Sequence, residues 1–206
     1  MAKYGAKYLR WAPFADENAD EDEKSLPKYG ASMSLGALME VTDAPEFSEA
    51  TIDGDDKIDE SVSEFSKCPI DLKTTELPMD AASELYGANL SEDGELANGG
   101  DDVAPLGGLA FLISKRIKGQ PKHQGVFYPK TQAVPQGETF TTKGSSITLN
   151  GDLVKLTALL PANRKWRIKS KLFSTESEAK AWVDGKLPPN GSAAAAAEPA
   201  GTETTG

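Results

Sequence analysis

Two apolar runs joined by a short polar turn constrain the fold of this chain more than any other feature. The first run is PLGGLAFLISKRI, residues 105–117, and the second is GVFYPKTQAV, residues 125–134, with KGQPKHQ between them. Runs rich in branched and aromatic residues and bounded by Gly, Pro and polar clusters are typical of strands. The pattern therefore predicts a β-hairpin across residues 105–134.

Other short segments repeat this extended pattern along the chain. With 19 Gly and 13 Pro among 206 residues, the composition favours short strands joined by turns over a helical bundle. The length suits one domain, which we place at residues 1–187, and the fold class we predict is mainly β with one or two short helices. The further extended segments are LPKYGASMSLGALMEV, EFSEATIDG, ESVSEFSKCPIDLKTTEL, ETFTTKGSSITLNG, LVKLTALLPAN and KWRIKSKLF.

Two short helices are predicted from their end signals. Pro78 fits a first helical turn and Gly87 a stop, with alanines and a leucine between them. Later in the chain, Thr175 and Glu178 have the spacing of a capping box, and an apolar side follows before Gly185, where we expect the second helix to end.

Three segments are predicted to lie outside the regular core. Residues 3–14 alternate as an extended segment, which is either an amphipathic strand or an arm that awaits a partner. The run ADENADEDEKS, residues 15–25, is almost wholly acidic or small, so we expect a mobile loop. Residues 188–206 are low in complexity and predict a flexible tail.

The acidic stretch ATIDGDDKIDE, residues 50–60, invites comparison with a calcium-binding loop. Counting from Asp53, acidic residues occupy several ligand positions of an EF-hand, but Lys57 stands at the fifth position, where an oxygen is needed. Ile58 stands at the sixth, where a β-branched residue resists the positive φ that the loop requires. A solvated acidic turn is the better interpretation, and we predict no metal.

Charge and composition exclude several function classes. The formal charge of −10 argues against a protein that grips nucleic acid. A single cysteine, Cys68, excludes an intrachain disulfide, and with the single histidine, His123, it cannot assemble a zinc site. Neither a signal peptide nor an apolar run long enough to span a membrane is evident, so we expect a soluble protein made in the cytoplasm.

No catalytic constellation stands out in the sequence. A Ser-His-Asp triad would have to use His123, which lies in a turn rich in Lys and Pro, and there is no GxSxG motif. We therefore expect no enzyme and no cofactor.

A set of segments distributed along the chain has a recognisable order. It comprises KYGAKYLRWAPF, LPKYGASMSLGAL, EATIDGDDKIDE with SEFSKC, ELPMDAASELYGA, APLGGLAFLISKRIKGQPKHQGVFYPK, and TKGSSIT with FSTESEAKAWVDGKL. Together these cover nearly all of residues 1–187. In this order and spacing, the chain resembles the major tail protein family of long-tailed phages that infect Gram-positive bacteria.

The resemblance implies a fold and a role. Such proteins fold as a β-sandwich or half-barrel flanked by a helix, form six-membered rings and stack into the tail tube of the virion, through which the genome passes. The implied partners are other copies of the chain, a tape-measure protein and tail completion proteins, and DNA passes without specific binding. For contacts between subunits or rings, the hypothesis points to Asp55, Asp56 and Lys57 in the acidic turn, and to the N-terminal aromatics Tyr4, Tyr8 and Trp11.

Three alternatives remain open from the sequence. A tail terminator or head-to-tail completion protein would form one ring and stop. A carbohydrate-binding β-sandwich is disfavoured by the lack of an export signal. An enzyme is the least supported, because the sequence shows no recognisable set of catalytic residues.

Overall fold

A computed structural model of the chain describes residues 2–54, 57–136 and 151–189. Within them lie two helices and ten strands. The helices are α1 (Met79–Tyr86) and α2 (Glu176–Lys186). The strands are β1 (Ala2–Pro13), β2 (Leu38–Asp43), β3 (Glu46–Gly54), β4 (Lys57–Thr74), β5 (Asn89–Leu90), β6 (Leu96–Ala97), β7 (Leu106–Ile117), β8 (Gln120–Val134), β9 (Asp152–Ala158) and β10 (Ile168–Lys169).

The hairpin predicted over residues 105–134 is confirmed as β7 and β8, which pair antiparallel along almost their whole length. The turn is two residues long, because Ile117 pairs with Gln120. Lys118 and Gly119 both have positive φ, at 49° and 80°. Two successive positive φ values mark a turn whose twist matches that of the flanking strands, and Gly adopts them without strain.

The hairpin lies inside one large sheet with the order β1-β7-β8-β9-β4-β2. The outermost strands of this order approach each other, and backbone bonds link Trp11 to Met33, just before β2. The sheet therefore curves into a half-open barrel. Its concave side holds the larger core, which includes Leu9, Ile70, Leu109 and Leu156, and α1 packs against it. The mainly β fold class predicted from the sequence is confirmed.

Helix α2 covers the convex side of β1, β7 and β8 with a second core. Ala179 and Val183 of the helix pack there against Leu112 and Phe127 of the sheet. The helix begins with the predicted capping box, in which the Thr175 hydroxyl accepts from the backbone N–H of Glu178. Three strands thus have apolar side chains on both faces, which explains why β7 and β8 read as continuous apolar runs.

The first predicted helix is confirmed as α1, and Gly87 ends it in the left-handed conformation with φ 69°. A side chain at this position would also collide with the backbone, since a Cβ would lie 2.3 Å from the carbonyl oxygen of Val103. Glycine is therefore required at position 87 for two reasons: the positive φ, and the lack of space for a side chain.

Several expectations need correction. Of the two interpretations of residues 3–14, the strand is confirmed and the free arm is wrong, because β1 pairs with β7 of its own chain. The strand predicted over residues 165–173 is reduced to the two residues of β10, followed by an isolated bridge to β8. Helix α2 runs through Gly185 and ends at Lys186.

The strand predicted at residues 138–151 lies almost entirely outside the described residues, as does most of the tail predicted at residues 188–206.

The acidic loop 15–25 is held by specific contacts, in contrast to the mobile loop that its composition predicts. Asp20 forms an ion pair with Lys130 at 2.8 Å and accepts from the backbone N–H of Ala162 at 3.0 Å. Ala19 is buried and accepts a backbone hydrogen bond from Lys28. One inward-facing carboxylate with two partners therefore anchors a segment whose other acids are exposed.

Candidate functional site

The most unusual feature of the fold is a long hairpin that leaves the sheet. Strand β4 has 18 residues, but only its second part, from Cys68 to Thr74, pairs with β9, and β2 pairs only from Ile70 onward. Its first part, Lys57–Lys67, pairs with β3. Among the described residues, β3 has no other strand partner. We call residues 46–67 the acidic arm; at about 3.3 Å per residue it extends about 35 Å from the sheet.

Charge is concentrated on this arm. Its sequence contains eight acidic residues and two lysines. One ion pair in it is described, between Lys67 and Glu46 at 3.6 Å, with both side chains about half exposed. Such an exposed pair contributes little stability. With eight acids against two lysines, the arm therefore carries a strongly negative net charge.

An aromatic stack fixes the base of the arm against the domain. The rings of Phe65 and Trp166 lie parallel with centroids 4.5 Å apart, and Phe47 meets Phe65 edge-on at 5.9 Å. The guanidinium of Arg167 lies over the ring of Trp166, 4.4 Å from its centroid. Stacked aromatic and cation–π contacts each add a fraction to about 1 kcal/mol, so the arm leaves the domain from a defined anchor.

A polar junction lies beside this stack. The carboxylate of Asp43, at the end of β2, accepts a hydrogen bond from the hydroxyl of Tyr128 at 2.9 Å and forms an ion pair with Arg167. Burial, aided by the Asp43 carboxylate, raises the pKa of the Tyr128 hydroxyl well above its usual value. Burial and the same carboxylate raise the pKa of the neighbouring Cys68 thiol. Tyr128 therefore stays protonated as a donor, and Cys68 stays an unreactive thiol.

The structure separates the residues that the sequence groups as candidate contacts. Asp55 and Asp56 lie outside the described residues, between the two strands of the acidic arm. Lys57 begins β4 at the same end of the arm. Tyr4 is 49% exposed near the start of β1 and is accessible to a partner.

The other two aromatics serve the fold. Trp11, which the resemblance suggested as a contact between subunits, is fully buried in the larger core of its own chain, where its side chain is not accessible to a partner. Tyr8 has a positive φ of 56° within an irregular step of β1, and its hydroxyl donates to Asp184 of α2 at 2.8 Å. Lys180 lies 5.2 Å from the centre of the Tyr8 ring, which places Tyr8 between the sheet and α2.

The titratable groups that an enzyme or metal site would use are dispersed in the described part of the chain. The imidazole of His123 lies 3.2 Å from the hydroxyl of Ser114, and it forms no ion pair with a carboxylate among the described residues. No group of three or more His, Cys, Asp and Glu side chains is placed to hold a metal ion among the described residues. Neither described helix is both long and apolar enough to cross a membrane.

Comparisons with protein-family models, with characterised proteins and with solved structures found no match for this chain.

Sequence reasoning missed the residues that anchor the arm. Asp43 lies 85 residues before Tyr128 and 124 before Arg167, and no local pattern links the three. The one available signal was the pairing of Trp166 with Arg167 in a segment that alternates apolar and basic residues. That alternation is typical of an extended segment and does not indicate that Arg167 is turned onto the Trp166 ring.

Proposed function

We propose that this protein is a structural subunit that assembles with copies of itself into stacked six-membered rings, forming the tube of a phage tail. The proposal joins the ordered set of segments that resembles the tail-tube family to the architecture of the chain. A curved sheet flanked by a helix, with a long hairpin that leaves it, suits a subunit whose surfaces are completed by neighbours.

The acidic arm is the observation that carries the proposal. An isolated two-stranded hairpin is marginally stable in water, and each of its edges presents unpaired backbone groups. Among the described residues β3 pairs with no strand other than β4, and the aromatic stack that joins the arm to its domain lies at its base. Contact with neighbouring subunits would cover its edges and stabilise it. Its negative charge would oppose uncontrolled pairing of two arms and leave DNA free to slide past.

Electron microscopy of the concentrated, purified chain tests this function. We expect striated tubes with an open channel, or six-membered rings. Single rings that never stack would favour the tail terminator or completion protein, and monodisperse particles at every concentration would count against self-assembly.

A shortened arm provides the sharper test. In the register of the hairpin, Glu49 pairs with Ser63, so residues 50–62 can be replaced by Asn-Gly, which favours a two-residue turn. The stack at Phe47 and Phe65 is kept, so we expect the midpoint of thermal unfolding to stay within a few degrees while tubes are lost.

The triple variant Asp55→Ala, Asp56→Ala, Lys57→Ala should shorten or abolish tubes. Normal tubes from both variants would reject a role for the arm in assembly.

A further inference from the structure

Positive charge is segregated in this acidic chain. Residues 112–136 contain five Lys or Arg and no acid, and residues 153–175 contain six and no acid. The first group is carried mainly by the end of the β7–β8 hairpin, and the backbone bridge between His123 and Phe173 brings part of the second group beside it. We call this surface the basic tip; it consists of Lys115, Arg116, Lys118, Lys122 and Lys171.

The basic tip is only weakly neutralised from within the chain. Among the described residues no carboxylate lies within ion-pair distance of its five cations. Lys115 and Lys122 donate to uncharged oxygens of Gln124 and Ser174. At the start of α2, Glu176 binds Lys7 and Lys180. Glu178 closes the helix cap, and its pKa is lowered mainly by hydrogen bonds from Thr175, with Lys171 making the smallest contribution.

The opposite charge gathers around α1 and the small β5–β6 pair. Residues 75–104 contain eight acids and no Lys or Arg, and all eight side chains are exposed. We call this surface the acidic end; it consists of Glu76, Asp80, Glu84, Glu92, Asp93, Glu95, Asp101 and Asp102.

Strand β7 sets the two surfaces apart. The acidic end finishes just before β7 begins at Leu106, and the basic tip is where β7 ends at Ile117. Twelve residues at about 3.3 Å each separate them by about 40 Å. Within one chain they therefore cannot neutralise each other.

Exposed apolar side chains accompany both charged surfaces. Val103 is 75% exposed and Met79 60% exposed at the acidic end. Tyr4, which pairs across from Ser114 of β7, is 49% exposed near the basic tip, and Leu172 is 41% exposed. Apolar residues surrounded by charged ones are the usual anatomy of a surface that binds another protein.

We propose that copies of this chain associate head to tail, with the basic tip of one copy docked on the acidic end of the next. The two surfaces differ and lie at opposite ends of the same strand, so a copy bound at one end still presents the other, and association propagates. Complementary charge steers the encounter and sets its direction. The inference rests on the proposed function, in which this contact lies between successive rings, and it assigns that contact to surfaces other than the acidic arm.

Paired charge reversals test the contact. The tip variant carries Arg116→Glu and Lys118→Glu, and the end variant carries Glu84→Lys and Glu92→Lys; all four side chains are exposed. A matched control, Lys24→Glu with Lys28→Glu, changes net charge as much as the tip variant at exposed sites on another loop. Assembly is followed by sedimentation velocity and electron microscopy at low and high salt.

We expect either variant alone to need at least a tenfold higher protein concentration for assembly, and the control to assemble as the unmodified chain does. An equimolar mixture of the two variants should recover assembly, because each then offers the surface that the other lacks. High salt should weaken assembly of the unmodified chain, since exposed charges are screened.

The other outcomes separate this contact from the tube itself. Tubes formed equally well by the tip variant, or lost equally in the control, would overturn the head-to-tail contact and leave the tube proposal standing. Salt-sensitive linear oligomers without tubes, recovered by mixing the variants, would support the contact and count against the tube. A tip that binds a DNA duplex while association of copies is unchanged by the variants would overturn the contact in favour of a nucleic-acid partner.

Discussion

At the scale of single residues, Asp43 joins elements that are remote in sequence. It accepts from the Tyr128 hydroxyl and pairs with Arg167, which in turn lies on the ring stack at the base of the acidic arm. We expect Asp43→Ala to lower the free energy of unfolding by about 1–3 kcal/mol, because the Tyr128 hydroxyl loses its acceptor. Urea denaturation measures this, and the fluorescence of Trp166 should change in the folded state.

The matched control is Asp71→Ala. Asp71 is an exposed carboxylate on β4 that forms no ion pair among the described residues. Its loss should change stability by less than about 0.5 kcal/mol. Equal effects of the two substitutions would reject the special role of Asp43.

At the scale of elements, the packing of α2 on the sheet requires glycine at position 125 of β8. A Cβ on Gly125 of β8 would lie 2.3 Å from the ring of Trp182 in α2. We expect Gly125→Ala to cost about 1–3 kcal/mol by forcing the helix outward, measured by urea unfolding. Adding Trp182→Leu should restore part of the loss, whereas Gly185→Ala, where a Cβ meets open space, should be neutral or slightly stabilising.

The same helix is held at its start by Glu176, which binds Lys7 of β1 and Lys180 of its own next turn. These two ammonium groups lower the pKa of Glu176 to about 2. Because the folded pKa lies below the usual 4.5, the contribution is complete above about pH 5 and is lost as pH falls toward 2. For a partly exposed pair we expect about 0.5–1 kcal/mol.

Unfolding free energies of Glu176→Gln and the unmodified chain, measured from pH 7 to pH 2, check this dependence. The difference between the two should be constant at neutral pH and should shrink below about pH 4.5. Glu17→Gln, in the acidic loop, serves as the exposed control. A difference that does not change with pH would show that the Glu176 carboxylate is not the stabilising group.

At the scale of the whole molecule, the reactivity of the Cys68 thiol measures how often the sheet opens. Its side chain is fully buried at the point where β4 pairs with β9, and the pKa of its thiol is raised by burial. We expect reaction with a thiol reagent to follow global unfolding, so that its rate rises with urea in step with the unfolding equilibrium. A rate that is independent of urea would instead indicate that the sheet opens locally at β4.

Much of the local structure could be predicted from the sequence. The ends of α1, the capping box of α2 and the β7–β8 hairpin depend on residues close together in the chain, so their signals survive without tertiary context. Of the candidate contacts, the sequence could select Tyr4 and Trp11 as aromatic but could not place one at the surface and the other in the core. That distinction depends on which face of β1 meets the curved sheet.

What the sequence by itself determined is the mainly β class, the positions of the helices and the segregation of acidic and basic segments. Only the tertiary structure decided that β1 pairs with β7, that the acidic arm leaves the sheet alone, and that the basic tip and the acidic end lie at opposite ends of one strand. The physical reason is that strand pairing and the direction of side chains depend on contacts between distant residues. Propensity and periodicity describe each segment, whereas the partner of each segment is selected by packing of the whole chain.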